Sequence, residues 1–320
     1  MDFEGALEQG LDSLVRTVKR VCADDSVPFA HAKAGYRQAI CKRNPGLERA
    51  PGFLLLALVL LLAACAGVLV HEVRSPYSHI QVVDYGELRA LRFAGESPID
   101  VVETLVDRRA AHRLQHRYAQ AMMAGLAYRP DPSSVLLIGL GGGALVHALT
   151  HHFPSVRLDV VEIDPEIVAV ARQYFAVHPG PGTRIFVADG HEYLARSTER
   201  YDLILMNAHL TPSTLTDSTG HPLTMKTAEF YARVRERLNP DGLVLFNMLA
   251  GEDEKRFGAS VRAAFAATEV FRPPGTLNVI VLASPAKLPD EALLRARARA
   301  LDQRADFGFS FEQVLDWRSR

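Results

Sequence analysis

Residues 135–165, VLLIGLGGGALVHALTHHFPSVRLDVVEIDP, restrict most strongly what this chain can fold into. An apolar run at 135–140 leads into a glycine cluster at Gly139, Gly141, Gly142 and Gly143. A helix-like segment follows, then a second apolar run closed by Glu162. Strand, tight turn, helix and strand, with an acid about 20 residues beyond the glycines, is the order of a nucleotide-binding βαβ unit. Residues without a Cβ give such a turn its unusual dihedrals and let backbone amides approach a ligand, while the next helix points its N-terminus at the same place. Glu162, at the carboxyl end of the second strand, is placed to accept hydrogen bonds from both ribose hydroxyls of a nucleoside. The competing reading is an α/β domain that keeps the turn for packing alone.

From residue 135 onward, strand and helix patterns alternate. Strands are expected at 135–140, 157–163, 184–187, 202–206, 243–248 and 277–283, with helices between most of them, which predicts an α/β fold with a parallel, doubly wound sheet over 133–285. Upstream, β-prone runs at 80–85 and 88–93 flank Gly86-Glu87 and predict a small β-hairpin. Residues 100–128 carry helical spacing and end at Pro130-Asp131-Pro132, so 73–128 reads as a hairpin plus a connecting helix. Residues 286–320 form a helical tail whose helix at 290–304 has a basic, solvated face.

The N-terminal part points to a membrane. Residues 53–70, FLLLALVLLLAACAGVLV, are eighteen positions without a charge. As a helix they span about 27 Å, close to the thickness of a bilayer core, whereas a buried helix of a globular domain normally keeps a polar face. Within the run, Leu62-Ala63-Ala64-Cys65 resembles the cleavage site of bacterial lipoproteins, so lipidation at Cys65 is the alternative to an uncleaved transmembrane helix. Both attach the chain to membrane lipid. Arg16, Lys19, Arg20, Lys33, Arg37, Lys42, Arg43 and Arg49 precede the run, and only Arg74 and Arg89 lie in the next twenty positions. The positive-inside rule then predicts a single pass through a bacterial inner membrane, with the N-terminus inside and the large domain exported. Residues 1–52 show little beyond a short amphipathic pattern at Phe3, Leu7, Leu11, Leu14, Val15 and Val18.

A net charge of −1 at pH 7 lacks the basic excess that nucleic-acid binding requires. Cys22, Cys41 and Cys65 have no CxxC spacing and none lies in the α/β region, so no metal centre or redox pair is expected.

Several segments together resemble a known family: SPYSHI at 75–80, YAQAMM at 118–123, LLIGLGGGAL with VVEIDP, VADGHEYL at 187–194, YDLIL at 201–205 and TAEFYARVRERLNPDGLVLFNM at 227–248. Over residues 75–283 the chain is similar to the spermidine synthases (polyamine aminopropyltransferases), above all to their bacterial, membrane-attached spermidine synthase-like branch. The resemblance implies a Rossmann-like, methyltransferase-type sheet. It further implies that Gly139, Gly141, Gly142 and Gly143 wrap the nucleoside, that Glu162 holds its ribose, and that Asp189 and Gly190 face its adenine. S-adenosylmethionine or decarboxylated S-adenosylmethionine would be the cosubstrate, a polyamine the acceptor, and a homodimer the assembly. Asp164 is expected to cap the next helix.

The chain also departs from that family. Ala144 and Leu145 stand where the family has Asp-Gly, whose carboxylate helps hold the cationic aminopropyl end of the cosubstrate. Asn207-Ala208-His209-Leu210 replaces an acidic run that orients and deprotonates the attacking amine. An amide accepts no proton near neutral pH, which leaves His209 and Asp217 as substitute bases. The loop at 207–225 corresponds to one that closes over the family's polyamine site. Three functions follow: an aminopropyltransferase-like enzyme with altered catalytic acids, an S-adenosylmethionine-dependent methyltransferase that needs no such acids, or a non-catalytic, membrane-tethered binding or scaffold protein.

Overall fold

The computed structural model describes residues 67–94, 101–210, 213–217, 219–251 and 254–319. Residues 1–52 and the first fourteen positions of the apolar run, 53–66, lie outside them. Strands β1 (Val68–Arg74), β2 (His79–Tyr85), β3 (Leu88–Phe93) and β4 (Val101–Asp107) form one sheet in the order β1-β2-β3-β4. Two short helices, Arg117–Met122 and Gly125–Tyr128, lead to a second sheet. Its strands are β5 (Ser134–Ile138), β6 (Arg157–Glu162), β7 (Thr183–Val187), β8 (Tyr201–Met206), β9 (Leu238–Leu249), β10 (Ala267–Phe271) and β11 (Asn278–Ser284). They are ordered β10-β11-β9-β8-β5-β6-β7.

The second sheet begins in its middle. From β5 the chain winds outward through β6 and β7, then returns to β8 and β9 on the other side, all in parallel. The winding therefore reverses between β5 and β8, and open α/β sheets bind ligands in the crevice outside such a switch point. Helices on both faces bury β5 and β8 at every position, and apart from Ser134 and Asp202 at their starts, with Tyr201, the side chains are aliphatic or Met. The period-2 alternation splits their side chains: Val135, Leu137, Leu203 and Leu205 join one core, and Leu136, Ile138, Ile204 and Met206 join the other.

Four expectations need correction. Residues 68–70, read as the end of a membrane segment, begin edge strand β1, and no helix among the described residues is long and apolar enough to cross a membrane. The upstream hairpin is a four-stranded sheet, and part of the expected connecting helix is β4, because Val101, Val102, Thr104 and Val106 fit an extended backbone better than a helix. The large sheet is mixed rather than wholly parallel. β10 and β11 are antiparallel, and β11 runs antiparallel to β9; the connection RPPGTL is far too short for the dozen or more residues of a parallel crossover. Finally, the basic face of the helix Glu291–Arg304 is solvated but not only that: Arg299 and Arg304 stay exposed, yet Arg295 bonds Glu291 and Asp316 and Arg299 bonds Glu312 within the tail, while Arg297 bonds the Tyr128 carbonyl and Arg304 bonds Asp131, fastening the tail to the domain.

Candidate functional site

The glycine turn sits at the switch point. Gly139, Gly141 and Gly143 all have positive φ, which only glycine adopts without strain. At Gly139, φ is +94° and an added Cβ would lie 2.2 Å from the Asn207 carbonyl oxygen. The turn after β5 is thus pressed against the end of β8, and Asn207 donates its amide to the Ile138 carbonyl at 2.8 Å. Gly139→Ala is expected to cost about 2 kcal/mol, since strain of this kind costs 1–3 kcal/mol. Urea denaturation measures it, and unchanged stability would mean that the two loop ends do not pack as described. Gly143 caps the helix Ala144–His152 without a side-chain hydrogen bond, which leaves the first amides of that helix available.

Glu162, at the end of β6, is 8% exposed. Its Oε2 accepts from the Leu140 amide at 2.8 Å and its Oε1 from the Asp164 amide at 3.0 Å. Burial raises its pKa, and these amides oppose that rise. The carboxylate is fixed in orientation against the glycine turn. Asp164 caps the helix Pro165–Tyr174 through Glu166, as expected, and its second oxygen accepts from the Ser75 hydroxyl of the upstream sheet. Thr104 on β4 accepts the Gly142 amide at 2.9 Å, so that sheet closes over the turn.

The result is one cleft. Glu103, Thr104, Gly141, Glu162, Asn207 and His209 all line it, together with Asp164. Its described lining contains three carboxylates and neither lysine nor arginine. Asn207 lies at the end of an amide chain: Asn278 Nδ2 donates to Asn247 Oδ1 at 2.9 Å, and Asn247 Nδ2 donates to Asn207 Oδ1 at 2.8 Å. With its carbonyl oxygen engaged, Asn207 offers a donor rather than a proton acceptor. Burial pulls the His209 pKa down to about 4, which makes its imidazole neutral and weakly basic near neutral pH.

Other sequence-derived residues fall elsewhere. Asp189 and Gly190 follow β7, two strands away from β5. Asp189 Oδ1 accepts from the amides of His191 and Glu192 and caps the helix Gly190–Arg196. A Cβ on Gly190 would meet Ile138 Cγ2 at 2.6 Å, so close packing of helix on strand requires glycine there. Asp217 does not line the cleft. It pairs with Lys226 and accepts from Thr219 and the His221 amide; burial opposes, but these partners together lower its pKa and make it an anchor within its loop.

Glu103 and Thr104 escaped the sequence reading because residues 100–128 read as helical. The one available signal was the β-branched run VVETLVD with an acid inside it. Among the described residues no group of three or more His, Cys, Asp and Glu side chains is arranged to hold a metal.

Topology and cleft together define a Rossmann-like α/β protein of the methyltransferase type, with an added N-terminal β-sheet. A spermine/spermidine synthase domain matches residues 116–252, and over that stretch the chain is similar to the spermidine synthase-like family. It is 28% identical over 238 residues to the polyamine aminopropyltransferase of Vibrio vulnificus (strain CMCP6), covering 73% of this chain and 77% of that one. A probable spermidine synthase from Corynebacterium glutamicum ATCC 13032 shares the fold, with a TM-score of 0.60 and 20% identity over 73% of this chain and 87% of the other. Human methyltransferase-like protein 13, solved in complex with SAH, matches with a TM-score of 0.55 and 27% identity over 59% and 92%.

Proposed function

We propose that this protein binds an S-adenosylmethionine-type sulfonium nucleoside and transfers an alkyl group from its sulfur to an amine nitrogen, with aminopropyl transfer to a polyamine as the reaction. The observation that carries this reading is the charge of the cleft. A dinucleotide or nucleoside triphosphate brings phosphates, which three carboxylates without a lysine or arginine would repel; a sulfonium and an ammonium bring positive charge, which they attract. Glu162 beside the glycine turn supplies the ribose acceptor. Asp189, on the far side of the nucleoside-binding strands, retains an Oδ2 with no hydrogen bond among the described residues and takes the adenine amino group. The matched spermine/spermidine synthase domain and the SAH held by a 27% identical neighbour support the same ligand class.

Methyl transfer is the second reading. It is favoured by Ala144 and Leu145, which put no carboxylate on the helix after the glycine turn, and by the amide at Asn207. Product analysis separates the two. Full-length protein incubated with putrescine and decarboxylated S-adenosylmethionine is expected to yield spermidine and methylthioadenosine. A methylated amine and SAH from S-adenosylmethionine would establish methyl transfer, and no product from either would leave a binding protein.

Membrane attachment through the apolar run, either as an anchor or by lipid at Cys65, belongs to the same proposal and rests on sequence. Sidedness matters because sulfonium nucleosides are cytosolic. A reporter fused after Arg320 that reads cytoplasmic supports transfer, whereas one that reads external removes the cosubstrate and leaves the scaffold reading.

A further inference from the structure

The pairing of β3 with β4 contains an irregularity beside the cleft. Leu91 pairs with Thr104 and Arg92 with Val102, so Glu103 is an extra residue with no partner across the ladder. In a regular strand, consecutive side chains point to opposite faces. A bulge breaks that rule and re-aims one of them, as bulges beside active sites commonly do. Glu103 and Thr104 accordingly both line the cleft. The Glu103 carbonyl, displaced from the ladder, accepts the Tyr118 hydroxyl at 2.8 Å, and this bond holds the bulge. The Glu103 carboxylate makes no hydrogen bond or ion pair among the described residues, although it is partly buried in the cleft wall. Glu162 differs, with two amides bound to its carboxylate.

We propose that Glu103 is the acid that binds the acceptor amine and removes its proton, replacing from the opposite wall of the cleft the carboxylate that is absent at Asn207. This rests on the transferase reading above. In the order β9-β8-β5-β6-β7, a nucleoside held by Glu162 at the end of β6 and Asp189 just beyond β7 has its sulfur end toward β8, where Asn207 and His209 lie; Glu103 lines the cleft with those two residues. An incoming ammonium pairs with the Glu103 carboxylate and gives it one proton. The resulting neutral amine attacks the carbon bonded to the sulfonium, a C–N bond forms, and the C–S bond breaks with its electron pair returning to sulfur as a neutral thioether. The product nitrogen is again an ammonium, and Glu103 passes its proton to water. Neither a metal nor an oxidant enters the balance.

The unpartnered carboxyl also predicts a pH signature. Burial pushes the Glu103 pKa up to about 7. Only its ionised form attracts an ammonium, so amine affinity rises as pH increases through about 7. Of the groups facing it, His209 is already neutral there, with a pKa lowered to about 4, and Asp164 is engaged by Ser75 and Glu166; burial also raises the pKa of Glu162 against its two amides, so the Glu103→Gln variant is what assigns the limb.

The test uses full-length protein, calorimetric titration of methylthioadenosine, and titration of putrescine with methylthioadenosine bound. Glu103→Gln is expected to leave nucleoside affinity within about twofold, to weaken putrescine at least about 30-fold, and to abolish the rise in putrescine affinity with pH; a charged hydrogen bond of about 2 kcal/mol corresponds to that factor. Glu103→Asp restores part of both. Wild-type protein that binds nucleoside but not putrescine, or a Glu103→Gln variant that binds putrescine like wild type, overturns the assignment. Wild-type protein that binds no nucleoside overturns the transferase reading instead, and this inference with it.

Discussion

Glu162→Ala is expected to weaken methylthioadenosine binding about 100-fold while the protein still melts cooperatively. Two ribose hydroxyls bound to one carboxylate are together worth roughly 3 kcal/mol when hydrogen bonds to a charged group disappear, and 1.4 kcal/mol is a factor of ten. The preparation of this side chain supports so large an effect. The amides of Leu140 and Asp164 fix both oxygens before a ligand arrives, so little ordering remains to oppose binding. Glu162→Gln keeps one acceptor and the side-chain shape, and is expected to lose less, about 10-fold. Calorimetry measures both. Equal affinity in wild type and Glu162→Ala would detach the ribose from β6 and, with it, the placement of the sulfur end toward β8.

The second large effect concerns stability. Asp202, 3% exposed at the start of β8, accepts from the Ser133 amide at 2.8 Å, the Ser133 hydroxyl at 2.7 Å, Asn239 at 2.9 Å and Arg129 at 3.1 Å. It ties the linker before β5 and the start of β9 to the centre of the sheet. Asp202→Ala is expected to lower unfolding free energy by about 3 kcal/mol, the low end for removing one member of a buried charged network. The pH dependence has a definite sign. Burial alone would raise the pKa of Asp202, but hydrogen bonds from Ser133, Asn239 and Arg129 outweigh it and hold the pKa below its ordinary value. The folded pKa therefore lies below the unfolded value of about 3.9, and the contribution is fully present above that pH and is lost as pH falls toward the folded value. Urea unfolding of wild type and variant should differ most above about pH 5 and converge on acidification. A constant difference down to pH 2 would place the effect in packing rather than charge.

Legibility in the sequence followed local pattern. The β5–turn–β6 unit could be read because its apolar runs are buried on both faces and its glycines are demanded by backbone conformation, as the contact between Gly139 and Asn207 makes plain. Asp164 was legible as a cap because capping is a short-range interaction. The antiparallel edge β10–β11 was not, since strand direction depends on the length of a connection rather than on side-chain period. The arginines from Arg295 to Arg304 were legible as a basic, exposed face but not as a paired one, because their partners, Glu312, Asp316 and Asp131 among them, lie elsewhere in the sequence. At the site, the loss of acids at Ala144 and Asn207 was visible, but the carboxylate that now faces the cleft was hidden. Glu103 enters it only through a one-residue slip in pairing, which no periodicity records. Asp217, by contrast, drew attention as an acid in the right loop and is occupied by Lys226.

Titration of the full-length protein with methylthioadenosine and S-adenosylmethionine, with ATP and NAD as phosphate-bearing controls, tests the central claim most directly. An acid-lined cleft at the β5–β8 switch point predicts that the phosphate-free nucleosides bind and that ATP and NAD do not. Binding of ATP or NAD in preference to them, or of none of the four, would contradict it.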